Sequence, residues 1–360
     1  MTLLEKFKNC KDLIMKHTSI LTIVLIAISL IVGSCGTSSL SVQILVPAEI
    51  TVPSNLKKIV VINRSLPAKE ARVNNIVEGV LTGEGIQVDR EASYKCLDGM
   101  ANVIVNSPRY EIVVPQNLDL RGTGTSVFPE PLEWKTVAEI CKENGADALV
   151  ALETFDSNSG LRYESQEKTK TVNNQTIKYI EHMALMDIDI EAGWRIYDPA
   201  KKEIIDQNKF IDGQGWKGVG ENKDNAFKNL PAKRACISDA GYYAGQQYGY
   251  RISPVWVWVP RSYYSRGHDD FKDAKYKARA KEWDRFAEIC QRHVADADMK
   301  IAGRACYNMA LVNEIQGNLE TALEWATKAY SDFHLKNARD YINNLKDRIY
   351  DQQKLEKQLE

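Results

Sequence analysis

The chain has 360 residues, 44% hydrophobic and 26% charged, with a formal net charge of −1. That composition belongs to a globular protein rather than a disordered one, and the length accommodates two domains of ordinary size. A near-neutral surface lacks the basic footprint of a nucleic-acid binder, so nucleic acid is excluded as a partner.

At the N-terminus, residues 19–33 (SILTIVLIAISLIVG) form an uncharged stretch of 15 residues. It falls short of the roughly 20 apolar residues that span a bilayer and suits the apolar core of a secretory signal. Lys6, Lys8, Lys11 and Lys16 precede it, and Val32-Gly33-Ser34-Cys35 closes it. That ending resembles a lipobox, with an apolar residue, two small residues and the thiol that accepts a diacylglycerol. The resemblance implies a bacterial lipoprotein with a signal peptide over residues 1–35, held on a membrane by lipid on Cys35. Without residues 1–35 the chain has 43 basic and 46 acidic side chains, a net charge of −3. Met15-Lys16-His17 would open a compact signal by itself, so translation from Met1 and from Met15 both remain open. The stretch Gly36-Thr-Ser-Ser-Leu-Ser contains no acidic run. In Bacteroidetes lipoproteins acidic residues just after the cysteine resemble a surface-export signal, so likeness to them, without that run, implies the periplasmic face of the outer membrane within the cell envelope.

Residues 36–55 read as a tether and residues 56–265 as an α/β domain. Lys58–Asn63 (KIVVIN) is a β-branched run and predicts a strand. Helical spacing predicts a helix over 69–82, and Arg109–Pro115 a second strand. Glu133–Asn144 reads as a helix with Val137, Ile140 and Cys141 on one face and Gly145 as its stop, before a strand over Asp147–Phe155. This β–α–β–α–β order implies a sheet with helices packed on it. A polar stretch, 156–179, separates it from a half-buried strand in which Ile180, His182, Ala184, Met186, Ile188, Ile190, Ala192, Trp194 and Ile196 share one face. Asp198-Pro199 turns the chain into a returning strand, Glu203–Ile211. Pro231 opens a helix to about Tyr248, whose Ala232, Ala235, Cys236, Ala240 and Ala244 permit close packing.

From about residue 266 to 352 the pattern turns to alanine, charge and helical periodicity. Residues 303–330 (GRACYNMALVNEIQGNLETALEWATKAY) resemble a tetratricopeptide repeat. Met309-Ala310 stand where that repeat has its Leu-Gly pair, Gly317 sits at its turn, and Ala322 and Ala329 lie on its second helix. Cys306, Asn313, Ala326 and His334 depart from the pattern. A looser copy lies about 35 residues earlier around Ala287, residues 336–349 supply a further helix, and residues 353–360 read as a charged tail. Such repeats hold a partner's peptide against one helical stripe, which here is Arg304, Tyr307, Leu311 and Glu314, opposite Cys306, Met309, Ala310 and Asn313.

The first region resembles the periplasmic α/β domain of the curli-secretion lipoprotein and of penicillin-binding-protein activator lipoproteins, on its KKIVV strand and the phrase Gly145–Val150. Over most of the chain, VPAEITVPSNLKKIVVINRS, GWRIYDP, RISPVWVWVPRSYY and the repeat-like segment resemble an uncharacterised lipoprotein family of Bacteroidetes. In it a domain of unknown function precedes tetratricopeptide-like helices. The resemblance brings no known activity.

The expected fold is therefore α+β: an α/β sandwich-like domain with a mixed sheet, then an all-α helical domain. Cys96, Cys141, Cys236, Cys290 and Cys306 read as core thiols, the spacing leaving a Cys290–Cys306 bridge open. Asp187, Asp189 and Glu191 read as a charged strand face rather than a calcium site, and Arg121-Gly-Thr-Gly-Thr-Ser as a loop. The histidines (17, 182, 268, 293 and 334) read as scattered, and no H-E-x-x-H or G-x-S-x-G occurs. Trp256 and Trp258 are ligand-stacking candidates, with peptidoglycan or another glycan as the ligand class. No catalytic residue, metal or cofactor is assigned. The expected function is a non-enzymatic scaffold or protein-binding module anchored to the membrane. The alternatives are a glycan- or peptide-processing enzyme and a cell-wall-binding protein.

Overall fold

The computed structural model describes residues 36–66, 83–115, 118 and 120–360. Cys35 and the helix expected over 69–82 lie outside them. In chain order the first elements are β1 (Thr37–Val46), β2 (Lys58–Asn63), α1 (Gly83–Val105), β3 (Glu111–Val113), α2 (Trp134–Glu143) and β4 (Ala148–Val172). There follow β5 (Gln175–Asp198), β6 (Glu203–Gly220), α3 (Lys223–Lys228), α4 (Lys233–Ile252) and β7 (Val255–Tyr264). The helices α5 (Asp269–Arg279), α6 (Trp283–Gln291), α7 (Met299–Ile315), α8 (Leu319–Ser331) and α9 (Ala338–Leu359) complete it. The fold class is α+β.

The larger of two units comprises Ile44–Val257 and Asp351–Glu360. Its mixed sheet has the order β3-β2-β4-β5-β6, with β2 parallel to β3 and β4 and the remaining neighbours antiparallel. Both faces of β2 are covered. Ile59 and Val61 join the core built with α1 and α4, while Val60 and Ile62 join the core built with α2. Two covered faces explain why KIVVIN is a continuous apolar run rather than an alternating one. Beyond a bulge between Leu152 and Thr154 the inward positions of β4 change parity, so that Leu152 and Phe155 serve the same core.

Helices α1 and α4 approach so closely that side chains are excluded at their contact. A Cβ built on Gly245 would lie 1.8 Å from the Cys96 carbonyl oxygen, and one on Gly99 1.9 Å from that of Tyr242. On the same helix the Tyr248 ring stacks on Trp194 at 4.8 Å with 4° between planes. Its hydroxyl donates to Asp206 Oδ2 at 3.1 Å, and Arg251 grips the same carboxylate at 2.9 and 3.1 Å.

Three segments differ from expectation. The polar stretch 156–179 is strand, because β4 and β5 continue as one long hairpin to Asn173-Asn174, where φ is +50° and +61°. Both values are those of the tight turn that matches strand twist. The supposed tether holds β1, and Ala48 and Val52 are buried. The supposed tail is helix to Leu359, and the buried Gln358 amide accepts from Ala48 N at 3.0 Å and donates to Ala48 O and Ile50 O at 3.1 and 3.2 Å. A polar run that satisfies backbone groups in this way is built in, although composition marks it as solvent-facing.

The second unit joins the described residues up to Gln43 with Trp258–Tyr350. The chain thus passes between units within β1, β7 and α9. Helices α5 and α6 pair, as do α7 and α8, with Gly317 at φ +83° in the second turn. Helix α7 is enclosed on all sides: Ala302, Gly303, Ala305–Val312 and Glu314 are buried, as expected of a helix apolar around its whole circumference.

Two predictions follow from the larger unit. Gly245→Ala should lower unfolding free energy by roughly 1–3 kcal/mol or more, whereas Gly160→Ala, whose Cβ meets nothing within 4 Å, should stay within about 0.5 kcal/mol of the parent; urea titration separates them. Burial in α1 pushes the Asp89 carboxyl up to about 6, against the Ser157 hydrogen bond that lowers it. The folded state then holds a proton that the unfolded chain, titrating near pH 4, has released. Stability should fall as pH rises from about 4 to about 6, and Asp89→Asn should flatten that part of the profile.

Candidate functional site

In the helical unit the end of β7 runs along α7 as an extended segment held by side chains. Asn308 reads the main chain of Tyr264 in both directions: its Oδ1 accepts from Tyr264 N at 2.8 Å, and its Nδ2 donates to Tyr264 O at 2.9 Å. From the preceding position, the Tyr307 ring meets Tyr264 edge-on at 5.4 Å and leans on Tyr341 at 5.0 Å. Arg304 lays its guanidinium 5.2 Å above the Tyr264 ring and donates to Arg266 O at 3.1 Å. At the other end, Arg261 forks Glu314, Nη2 to Oε1 at 2.8 Å and Nε to Oε2 at 2.9 Å. Arg348 and Tyr341 of α9 complete that carboxylate at 2.9 and 2.7 Å. Burial by itself would raise the Glu314 carboxyl, but Arg261, Tyr341 and Arg348 together hold it below the usual range.

The stripe expected to face a partner is therefore covered. Leu311 and Glu314 are 0% and 2% exposed and Tyr307 8%, with Arg304 half-buried. Three of the four, with Asn308, hold an extended segment, but it is residues 261–266 of this same chain. Asn308 was missed because its neighbours at 306, 309 and 310 mark its part of the helix as apolar. Its signal was an amide in the middle of a buried helix, where an unpartnered polar group is costly.

Two of the histidines read as scattered come together. His268 is the N-cap of α5, its Nδ1 accepting from Asp270 N at 3.2 Å. The His293 ring lies 4.2 Å from the His268 ring, its Nε2 is 2.9 Å from Asp270 Oδ2, and its Nδ1 is 3.1 Å from Asp296 Oδ2. Burial alone would lower His293, yet the flanking carboxylates of Asp270 and Asp296 raise it above its ordinary value. The signal in sequence was the pair H-x-D and H-x-x-D, which bracket one helical hairpin.

Elsewhere, Asp187 pairs with Arg162 and Glu191 with Lys209, as a charged strand face does. Trp256 and Trp258 are 51% and 64% exposed, open to stacking. The five cysteines of the described chain are free and buried, Cys290 and Cys306 included, and burial pushes their thiols up, to about 12 at Cys290. Such thiols are core rather than nucleophiles. Against the bulge of β4 the buried Glu153 meets Arg64 at 3.0 Å and Arg195 at 3.6 Å and accepts from the Tyr197 hydroxyl, a network that fixes strand ends. No described helix is long and apolar enough to cross a membrane.

Two family models match the chain, a domain of unknown function (DUF8603) over residues 56–264 and a second (DUF6340) over 272–347. No curated protein matches it. Among solved structures, a neuraminyllactose-binding hemagglutinin homolog from Helicobacter pylori is 12% identical, over 56% of this chain and 86% of that one, with a TM-score of 0.19. The PelC dodecamer from Paraburkholderia phytofirmans is 8% identical, over 60% and 99%, with a TM-score of 0.23. Likenesses so distant transfer nothing.

Removing one partner from a buried ion cluster leaves the others uncompensated. Glu314→Gln should cost about 3–5 kcal/mol, since Arg261 and Arg348 would keep their charges inside the unit. Chemical denaturation followed by helical circular dichroism measures it, and a change under about 1 kcal/mol would show that the cluster contributes little.

Proposed function

The chain belongs to the family described as a domain of unknown function (DUF8603), and from that premise we infer a non-enzymatic envelope lipoprotein that serves as a scaffold. Lipid on Cys35 sets its location on the periplasmic face of the outer membrane. The mixed-sheet unit and the tetratricopeptide-like helices form the body. The observation that carries the scaffold reading is the clamp on residues 261–266: the helices spend their binding stripe on the chain's own strand. What a repeat groove would do for a foreign peptide is done here to fix architecture. A protein or glycan partner then meets a surface outside that stripe, and the exposed Trp256 and Trp258 are the side chains suited to it.

The lipid anchor is tested directly. Cells expressing the full chain and given an alkyne fatty acid should label it, with the protein in the outer-membrane fraction. Cys35→Ala should lose the label and leave that fraction. Equal labelling of the variant would overturn the anchor and, with it, the location.

A further inference from the structure

Three side chains at one end of the first helical hairpin lie close enough to share one ion. The ligand atoms of His268, Asp270 and His293 are all within 4.8 Å of one another. Protein ligands of a tetrahedral zinc-class ion stand about 2.0–2.2 Å from it, which sets them roughly 3.3 Å apart. The observed separations, 2.9 Å for His293 Nε2 to Asp270 Oδ2 and 3.9 Å for His268 Nδ1 to Asp270 Oδ1, lie on either side of that spacing.

The hydrogen bonds around the cluster prepare the same arrangement. Asp296 is itself fixed, its Oδ1 accepting from Asp298 N at 3.0 Å, and its Oδ2 faces His293 Nδ1. A carboxylate there accepts from Nδ1–H, which keeps the proton on Nδ1 and leaves the Nε2 lone pair facing Asp270. This is the carboxylate–histidine support found behind metal-ligating imidazoles. A lone pair facing a carboxylate oxygen at 2.9 Å requires something positive between them, either a proton or a metal ion. His268 Nδ1 is unprotonated, its one lone pair accepting from Asp270 N at 3.2 Å, and as a ligand it would exchange that cap bond for the metal. The Phe271 ring, fully buried, stands 5.7 Å from the His293 ring and 6.2 Å from that of His268, closing one side. On the other side His268 and Asp270 are 36% and 32% exposed, which leaves room for water. The guanidinium of Arg292, 3.6 Å from Asp270 Oδ2, competes for that carboxylate, but it is 62% exposed and free to turn outward.

We propose that His268, Asp270 and His293 bind one divalent metal ion of the zinc class, with Asp296 as the positioning residue on His293 and water at the open position. Two imidazoles and a carboxylate suit zinc or cobalt rather than calcium or magnesium, whose shells are built of oxygen. Bound there, the ion ties the start of α5 to the turn after α6 and closes the first helical hairpin. The site is independent of the scaffold reading and of the anchor.

Cobalt(II) reports the geometry by its visible d–d absorption. Titrated with cobalt, the purified full chain should develop that band with one equivalent, and zinc should displace it. His268→Asn keeps an N-cap acceptor for Asp270 N, so it folds, but it removes an imidazole; it should lose the tetrahedral band and bind at least about ten-fold more weakly. Asp296→Asn should retain the band and lose roughly 10–100-fold in affinity. Absence of a band in the parent chain, or a band of equal strength and affinity in His268→Asn, would overturn the site and leave the cluster as an ion pair between Asp270, His293 and Asp296.

Discussion

A carboxylate that has left water must be neutralised by groups its own helix does not supply, and Glu314 imposes that condition on the helical unit. Helix α7 brings the charge inside. Arg261 arrives from β7, and Tyr341 and Arg348 arrive from α9. Each of those segments must lie where it does for the charge to be tolerated, so one residue couples the strand before the helices to the helix that ends them. Asn308 applies the same logic to neutral groups: the main chain of Tyr264 and the amide in α7 satisfy each other. Buried polar groups of this kind add less to net stability than to uniqueness, since any alternative packing would strand them.

In the larger unit the corresponding constraint is steric. The contact of α1 with α4 exists only because glycine stands at 99 and 245, and that approach lets both helices lie on the same face of the sheet. The core beneath them contains Trp194, its indole nitrogen without a protein partner, stacked on Tyr248. Tyr248 in turn hangs on Asp206 and Arg251. Apolar area, ring stacking and one buried ion pair thus converge on α4.

Much of this architecture was legible. KIVVIN, the segment 133–155 and the alternation from Ile180 to Ile196 all appear as strands or helices where their periodicity put them. Hydrophobic period is a local signal, and those elements each bury a face against the sheet. Helix α1 went unread although Ala92, Cys96, Met100 and Ile104 are four apart, because Ala and Cys in a charged setting give a faint stripe. The outer part of the β4–β5 hairpin was unreadable for a different reason: with both faces in water from about Glu164, alternation carries no burial to reveal. At the candidate site, the stripe 304–307–311–314, expected to face a partner, lies against residues 261–266 of the same chain. Helical spacing specifies which residues share a face and is silent on which segment of chain covers it. The meeting of His268 with His293 depends on how α5 and α6 pair and is likewise invisible to spacing.

The long hairpin has a consequence for how the sheet lives in solvent. Strand β4 leaves β2 at Leu152 and thereafter has β5 as its sole neighbour among the described residues, while β6 stops opposite His182. From there to the Asn173-Asn174 turn the ribbon is two strands wide, and every second amide on each strand points outward. Those outward amides exchange with deuterium without waiting for the ribbon to open, while their inward neighbours report its fraying and opening. Such a margin invites pairing with another strand. Its defence is written along it in Arg162, Glu164, Glu167, Lys168 and Lys170, charges that any added strand would have to match. The ribbon therefore combines backbone groups ready to bond with side chains that restrict what they bond to.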